Sequence, residues 1–167
     1  MNDPVLLRPF CPEDAASFYR NVYSDPSLRT FLEASASPAL ADAQRYVTIR
    51  SQFQNRPHFY DYAVVLRESG EVIGEVNAAY VKGGLADIGY VIGTAQRRSG
   101  YGAQAVRLLL KRLKEEGIHT VYAAVNAAND PSIALLNSLG MKETTQVPEA
   151  VRRCEEETGL CWFVRQI

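Results

Sequence analysis

Arg97-Arg98-Ser99-Gly100-Tyr101-Gly102 decides how this chain folds. The run stands between an apolar strand-like segment, Ile88-Gly89-Tyr90-Val91-Ile92, and an amphipathic helical pattern that begins near Gly100. That pattern carries Ala103, Val106, Leu109, Leu110 and Leu113 at a spacing that makes one buried face, and Gly117 stops it. A strand-to-helix turn that combines glycines with arginines suits a phosphate. The first N–H groups of a helix have no intrahelical partner and lie at the positive end of the helix dipole. Glycine lets the backbone close on a ligand because no Cβ intervenes. A short Gly-rich turn also serves as a plain connector, and the flanking segments separate the two cases.

Upstream lie three β-rich runs, Tyr60 to Leu66, Val72 to Tyr80 and Leu85 to Ile92. Glu68-Ser69-Gly70-Glu71 and Gly83-Gly84 are the turns between them, so they form an antiparallel meander. Further upstream, Val5-Leu6-Leu7-Arg8 is a first strand. Pro12-Glu13-Asp14 opens a helix to about Val22, with acids where the dipole favours them. Pro38 starts a second helix through Ala43, Tyr46, Val47, Ile49, Arg50 and Phe53, and Asn55-Arg56-Pro57 ends it. Downstream, Thr120 to Val125 is a buried strand. Asp130-Pro131-Ser132 reads as an N-cap followed by Pro at the first helical position, and that helix ends at Gly140. A last strand pair falls at Met141–Gln146 and Leu160–Gln166. The order is strand, two helices, three strands, helix, strand, helix, two strands. A strand-helix-strand unit over Leu85–Val125 within a mostly antiparallel sheet gives an α/β (α+β) mixed sheet flanked by helices, one domain over residues 1–167.

The composition excludes several functions. A net charge of −1 argues against broad nucleic-acid binding. No apolar run approaches the roughly 20 residues of a membrane span. Met1-Asn2-Asp3-Pro4 lacks the regions of a signal peptide. Cys11, Cys154 and Cys161 have no CxxC spacing and read as reduced thiols of a cytoplasmic protein. His58 and His119 are far apart, and no metal site is expected.

Two motifs together resemble the GNAT-superfamily N-acetyltransferases, and the resemblance covers nearly the whole chain. Arg97-Arg98-Ser99-Gly100-Tyr101-Gly102 is similar to the family's Gln/Arg-x-x-Gly-x-Gly/Ala signature. Asn129-Asp130-Pro131-Ser132-Ile133-Ala134-Leu135-Leu136-Asn137-Ser138-Leu139-Gly140-Met141 resembles its second signature. Leu7-Arg8-Pro9, Pro12-Glu13-Asp14-Ala15, Val72-Ile73-Gly74-Glu75 and Ala86-Asp87-Ile88-Gly89-Tyr90-Val91-Ile92 resemble the branch that acetylates ribosomal-protein N-termini (Rim-type). The resemblance implies acetyl-coenzyme A (acetyl-CoA) as cosubstrate, with its pyrophosphate on the N–H groups of Arg98, Ser99, Gly100, Tyr101, Gly102 and Ala103. Arg97 or Arg98 would add charge. The strand ending at Val91-Ile92 would splay from that at Tyr122–Val125 and receive pantetheine, with a backbone N–H near Ile92 on the thioester carbonyl. Asn129 and Ser132 would meet the pantetheine arm or cap the helix. Arg98 stands where the family usually has glycine, and is either a phosphate ligand or a solvated loop cation.

Acetyl transfer to an amine needs a neutral nucleophile, a polarised carbonyl and alignment. Glu75 and Asp87, on central meander strands, are candidates for the base, and Glu149 is a further one. The tyrosine that protonates the departing thiolate in many family members is Leu136 here. Ser132 is the candidate acid, followed by Asn137 and Ser138, with Tyr90 and Tyr101 as alternatives. The resemblance locates acceptor recognition at Ser24–Pro38 and Val147–Gly159. The latter holds Glu149 and Glu155-Glu156-Glu157, offset by Arg152-Arg153. The expected activity is transfer of acetyl from acetyl-CoA to a primary amine, either a protein N-terminus or a small molecule, by a monomer or homodimer. The alternative is a non-catalytic acyl-CoA-binding sensor. A nucleotide-binding domain using the Gly turn is a poor third reading, because the full P-loop pattern and its Gly-Lys-Ser/Thr end are absent.

Overall fold

The computed structural model describes residues 3–28, 32, 37–152 and 159–167. The chain opens with β1 (Val5–Arg8). A continuous helical stretch, α1, follows: a 3-10 turn over Pro12–Asp14, an α-helical turn over Ala15–Phe18 and a π turn over Tyr19–Tyr23. Then come α2 (Leu40–Phe53), β2 (Phe59–Leu66), β3 (Val72–Val81), β4 (Leu85–Ile92), α3 (Tyr101–Glu115), β5 (Thr120–Asn126), α4 (Asp130–Ser138), β6 (Lys142–Thr144) and β7 (Leu160–Gln166). This is the expected order. α2 begins at Leu40 rather than Pro38, because the Asp42 carboxylate accepts the Ala39 N–H at 2.8 Å and makes Ala39 the cap.

The described strands form one 7-stranded sheet in the order β1-β2-β3-β4-β5-β7-β6. All neighbours pair antiparallel except β4 and β5, which are parallel and joined by α3. Side chains alternate between the faces along each strand, apart from a register shift opposite Val64/Val65 that brings Ile73 to the same face as Val76. On one face Val64, Ile73, Val76, Ile88 and Val121 pack against Val106, Leu109 and Leu113 of α3 and Leu136 of α4. On the other, Ala63, Val65, Val72 and Val91 pack against Phe18 and Val22 of α1 and Ala43 and Val47 of α2. Each fully buried Leu, Val or Phe contributes roughly 1.5–3 kcal/mol. No helix among the described residues is long and apolar enough to cross a membrane.

Two contacts fix α1. A Cβ on Gly93, just past β4, would lie 2.0 Å from the Asn21 carbonyl oxygen, so only glycine permits this approach of the π turn. At the other end Arg8 donates from Nη1 and Nη2 to Asp14 Oδ2 and Oδ1, both at 2.7 Å. The Cys11 N–H donates to Oδ2 at 2.9 Å. Burial pushes the Asp14 carboxyl up, but these bonds outweigh it and hold it below the usual range. A depressed folded pKa stabilises the fold above the unfolded value of about 4, and that contribution is lost as the pH falls through the folded value. Asp14→Asn should cost about 3 kcal/mol at pH 7 and much less at pH 3, measured by urea unfolding at both.

Candidate functional site

The β4–β5 ladder is short. Leu85, Ala86 and Asp87 pair with Thr120, Val121 and Tyr122, and beyond them the strands part. β4 continues to Ile92 and β5 to Asn126, so the second half of each faces a gap. Gly93 N–H donates to Ile73 O on the β3 side. By alternation the peptide groups of Ile92 and Tyr90 therefore point away from β3, into the gap. Arg97 confirms that direction, since its Nε donates to Ile92 O at 3.1 Å.

The gap ends at the N-terminus of α3. Gly100 is the N-cap, with φ 78° and no side-chain cap. The first intrachain bond there is Gln104 N–H to Gly100 O. The N–H groups of Arg98, Ser99, Gly100, Tyr101, Gly102 and Ala103 have no partner among the described residues. A Cβ on Gly102 would stand 3.0 Å from Leu135 Cδ1 and 3.6 Å from Ile92 Cγ1, so glycine keeps the first turn of α3 close to both walls of the gap. Arg98 has φ 65°, in the left-handed region, which explains why glycine suits this position. The exposed Arg98 side chain makes no hydrogen bond or ion pair with the described residues.

The far wall is the start of α4. Asn129, not Asp130, is its N-cap: Asn129 Oδ1 accepts the Ser132 N–H at 3.2 Å, and Pro131 is the second helical residue. Asn129 Oδ1 is thus used in capping, while its Nδ2 is not. Tyr90 of β4 reaches across the gap. Its hydroxyl bonds Ser132 Oγ at 2.5 Å and donates to Ser132 O at 3.3 Å. Burial raises the Tyr90 phenol above its usual range, partly offset by the Ser132 bond. Leu136 is buried in the core. Asn137 and Ser138 are exposed at the other end of α4, where the Ser138 hydroxyl donates to Leu135 O. Tyr101 packs partly against the core.

The acids lie on the face covered by α1 and α2. Asp61, Glu75 and Asp87 share it by register, since Glu75 pairs with Val91, Asp61 with Asn77 and Asp87 with Ala79. Glu75 is fully buried. Tyr46 Oη donates to its Oε2 at 2.7 Å and Arg50 Nε to its Oε1 at 3.1 Å. The Arg50 guanidinium lies over the Tyr46 ring, 3.4 Å from its centroid. Asp61 Oδ2 is 3.6 Å from the same Nε, and the Asp61 side chain is 19% exposed. Burial pushes the Asp61 carboxyl up to about 6; the Glu75 charge adds to this and Arg50 opposes it. Burial likewise raises the Tyr46 phenol. Asp87 is buried four register positions from Glu75 along β4, about 13 Å at strand rise.

The structure therefore brings the Gly turn, Ile92, Tyr90, Asn129 and Ser132 around one gap, and puts Glu75 and Asp87 on one sheet face. Glu149 is exposed on a segment whose Val147 and Val151 pack on Tyr122. Glu155-Glu156-Glu157 and Arg153 lie outside the described residues. Sequence reasoning missed Tyr46, Arg50 and Asp61 as functional groups. Their one sequence signal is the i, i+4 pair Tyr46/Arg50 on a helix otherwise apolar on that side. Among the described residues no His, Cys, Asp and Glu group could hold a metal ion.

The chain belongs to the GNAT acetyltransferases: the Acetyltransferase (GNAT) domain matches residues 5–142. It is an acetyl-CoA-dependent acetyltransferase by that membership. Over 124 residues it is 25% identical to the uncharacterized N-acetyltransferase p20 of Bacillus licheniformis, covering 72% of this chain and 70% of that one. A shorter stretch of 54 residues is 35% identical to the L-methionine sulfoximine/L-methionine sulfone acetyltransferase of Pseudomonas aeruginosa, 32% of this chain and 31% of the relative. The fold is shared with the ribosomal-protein-S5-alanine acetyltransferase of Vibrio fischeri (TM-score 0.78, 14% identity, 99% and 94% covered). It is shared too with RimL, a ribosomal L7/L12 α-N-protein acetyltransferase solved with coenzyme A (TM-score 0.77, 15% identity, 99% and 96% covered).

Arg50 is the one cation in contact with Glu75 among the described residues. Arg50→Met should cost about 3–5 kcal/mol in urea unfolding, because it strands a buried carboxylate, whereas Glu75→Gln should cost less.

Proposed function

We propose that the protein acetylates a primary amine by direct attack of the amine on acetyl-CoA in a ternary complex. The observation that carries this reading is the row of unpartnered N–H groups from Arg98 to Ala103 at the mouth of the β4–β5 gap. Oriented amides at a helix N-terminus bind phosphate oxygens, and the glycines keep Cβ atoms out of the way. The residues therefore fit coenzyme A, which when loaded supplies an activated acetyl thioester. Arg98, exposed and in no ion pair among the described residues, adds a positive charge beside the phosphates. Arg97 serves mainly to hold the turn through Ile92 O. The peptide groups of Tyr90 and Ile92 pair with the pantetheine amides and polarise the acyl carbonyl, and Val91 anchors that strand from the opposite face. Asn129 Nδ2 and the Ser132 hydroxyl line the far side.

The Tyr90–Ser132 pair holds the proton for the departing sulfur. It does so without a tyrosine at Leu136, because Tyr90 enters the gap from the strand side instead. Asp61, Glu75 and Asp87 on the opposite face outnumber Arg50, the one cation paired with Asp61 and Glu75 among the described residues, which leaves that face a net negative charge to attract an ammonium. Protein N-termini, as for the ribosomal-protein enzymes of this fold, and small amines, as for the methionine sulfoximine enzyme, are the acceptor classes to compare.

Gly100→Glu and Gly102→Glu should abolish acetyl-CoA binding in calorimetry while leaving the circular dichroism spectrum unchanged. Retained binding removes the phosphate role. Tyr90→Phe and Ser132→Ala should each lower kcat with an amine or peptide panel by about 10- to 100-fold, with little change in KM for acetyl-CoA. If the wild type binds acetyl-CoA but releases thiol only at background, the protein is an acyl-CoA-binding module instead.

A further inference from the structure

The geometry points to Asp61 of β2, rather than Glu75 or Asp87, as the group that takes the proton from the acceptor's ammonium. This rests on the amine-acetylation reading above. Three carboxylates share the face under α1 and α2, and they are not equivalent. Both oxygens of Glu75 are occupied, one by Tyr46 Oη and one by Arg50 Nε, and no part of it reaches solvent. Each oxygen keeps a second lone pair, but a proton there would cancel the charge that holds Arg50, and a fully buried carboxylate has no direct path to the acceptor. Its role is to position Arg50, helped by the Tyr46 ring stacked on the guanidinium.

Asp61 is held more loosely by the same cation. Its Oδ2 is 3.6 Å from Arg50 Nε, beyond hydrogen-bond distance, and it accepts no hydrogen bond among the described residues. Its side chain remains 19% exposed. The charged and titratable groups against it are Glu75 from β3 and Arg50 and Tyr46 from α2. Two carboxylates face one guanidinium, which leaves one negative charge unmatched, and Asp61 is where the matching cation can reach it.

Its level in the sheet is also the right one. Asp61 pairs with Asn77, and Asn77 with Gly89. That row crosses the sheet to β4 just past Asp87, where the pairing to β5 ends. At about 4.8 Å per strand, Asp61 sits roughly 10 Å from the open edge of β4 with Asn77 in the row between them, so its proton path runs through water over the α1–α2 face. Gly89 contributes no side chain to this row. Asp87 lies on the closed side of the split, beside Tyr122.

The protons balance as follows. One N–H bond of the ammonium breaks and its proton passes to Asp61, making a neutral carboxylic acid. The freed lone pair forms the C–N bond as the C–S bond breaks. The second proton lost from nitrogen ends on sulfur through Tyr90 and Ser132, and Asp61 releases its own proton to solvent.

The test is the pH dependence of kcat/KM for the amine in wild type, Asp61→Asn, Asp61→Glu and Asp87→Asn, with acetyl-CoA affinity measured by calorimetry. The wild type should show an acid limb near pH 6. Asp61→Asn should lose that limb and about 100-fold or more in kcat/KM, with acetyl-CoA affinity unchanged. Asp61→Glu should retain a limb at a shifted pH, which a merely structural residue would not do, and it keeps the test open if the amide variant folds poorly. Asp87→Asn should keep the limb. An active wild type whose limb survives in Asp61→Asn, or disappears in Asp87→Asn, overturns the assignment while leaving the acetyltransferase reading intact. A wild type that binds acetyl-CoA and acetylates no amine overturns both.

Discussion

The early end of the β4–β5 ladder is the constraint on which the rest of this structure depends. Parallel strands need a crossover, and α3 provides it, running back over the face that carries Val64, Ile73 and Ile88. Once the strands part after Asp87 and Tyr122, the peptide groups at the end of β4 lose their partner strand. Buried peptide groups are not left unpaired without cause. One is met by Arg97, and Tyr90 bridges the opening to Ser132. Because only a 3-10 turn over Thr94–Gln96 and the glycine turn separate this strand from α3, the unpaired amides of α3 open at the mouth of the same gap. One topological feature thus aligns a backbone edge with a helix end whose amides are unpaired.

The other face is organised by charge. Glu75 sits at the centre of a sheet and is fully buried, a placement that costs several kcal/mol unless the carboxylate is paired and hydrogen-bonded. α2 supplies both requirements from one helical turn, through Tyr46 and Arg50. Fixing Arg50 against Glu75 and the Tyr46 ring fixes the electrostatic setting of Asp61. The aromatic cluster of Phe18, Tyr23 and Tyr46 packs this network against α1. Gly93 then ties α1 to the end of β4. The two faces are therefore mechanically linked through the strand that carries the site.

Much of this was legible in the chain itself. The meander, the glycine turn and the apolar stripe of α3 are local patterns of period two or 3.6, and local patterns survive folding when they agree with burial. The errors were at ends. Asp130 looked like a cap because Pro131 follows it, yet Asn129 holds that place, since its carbonyl oxygen side chain reaches the Ser132 N–H. Pro38 looked like a helix start, but Asp42 reaches back only as far as Ala39. The acids were harder. Glu75 and Asp87 stand on adjacent strands and both read as solvent-facing strand residues in sequence, whereas one is locked in an ion pair and the other lies at the closed end of the split.

The sequence by itself determined the element order, the crossover, the glycine turn and the family, because each is written in contiguous residues whose spacing sets backbone geometry. Only the tertiary structure decided how the side chains share work. Tyr90 meets Ser132 across 42 positions of sequence, and Arg50 meets Glu75 across 25. Such pairs are set by sheet register and by the side on which each helix packs, and neither is encoded in any single segment.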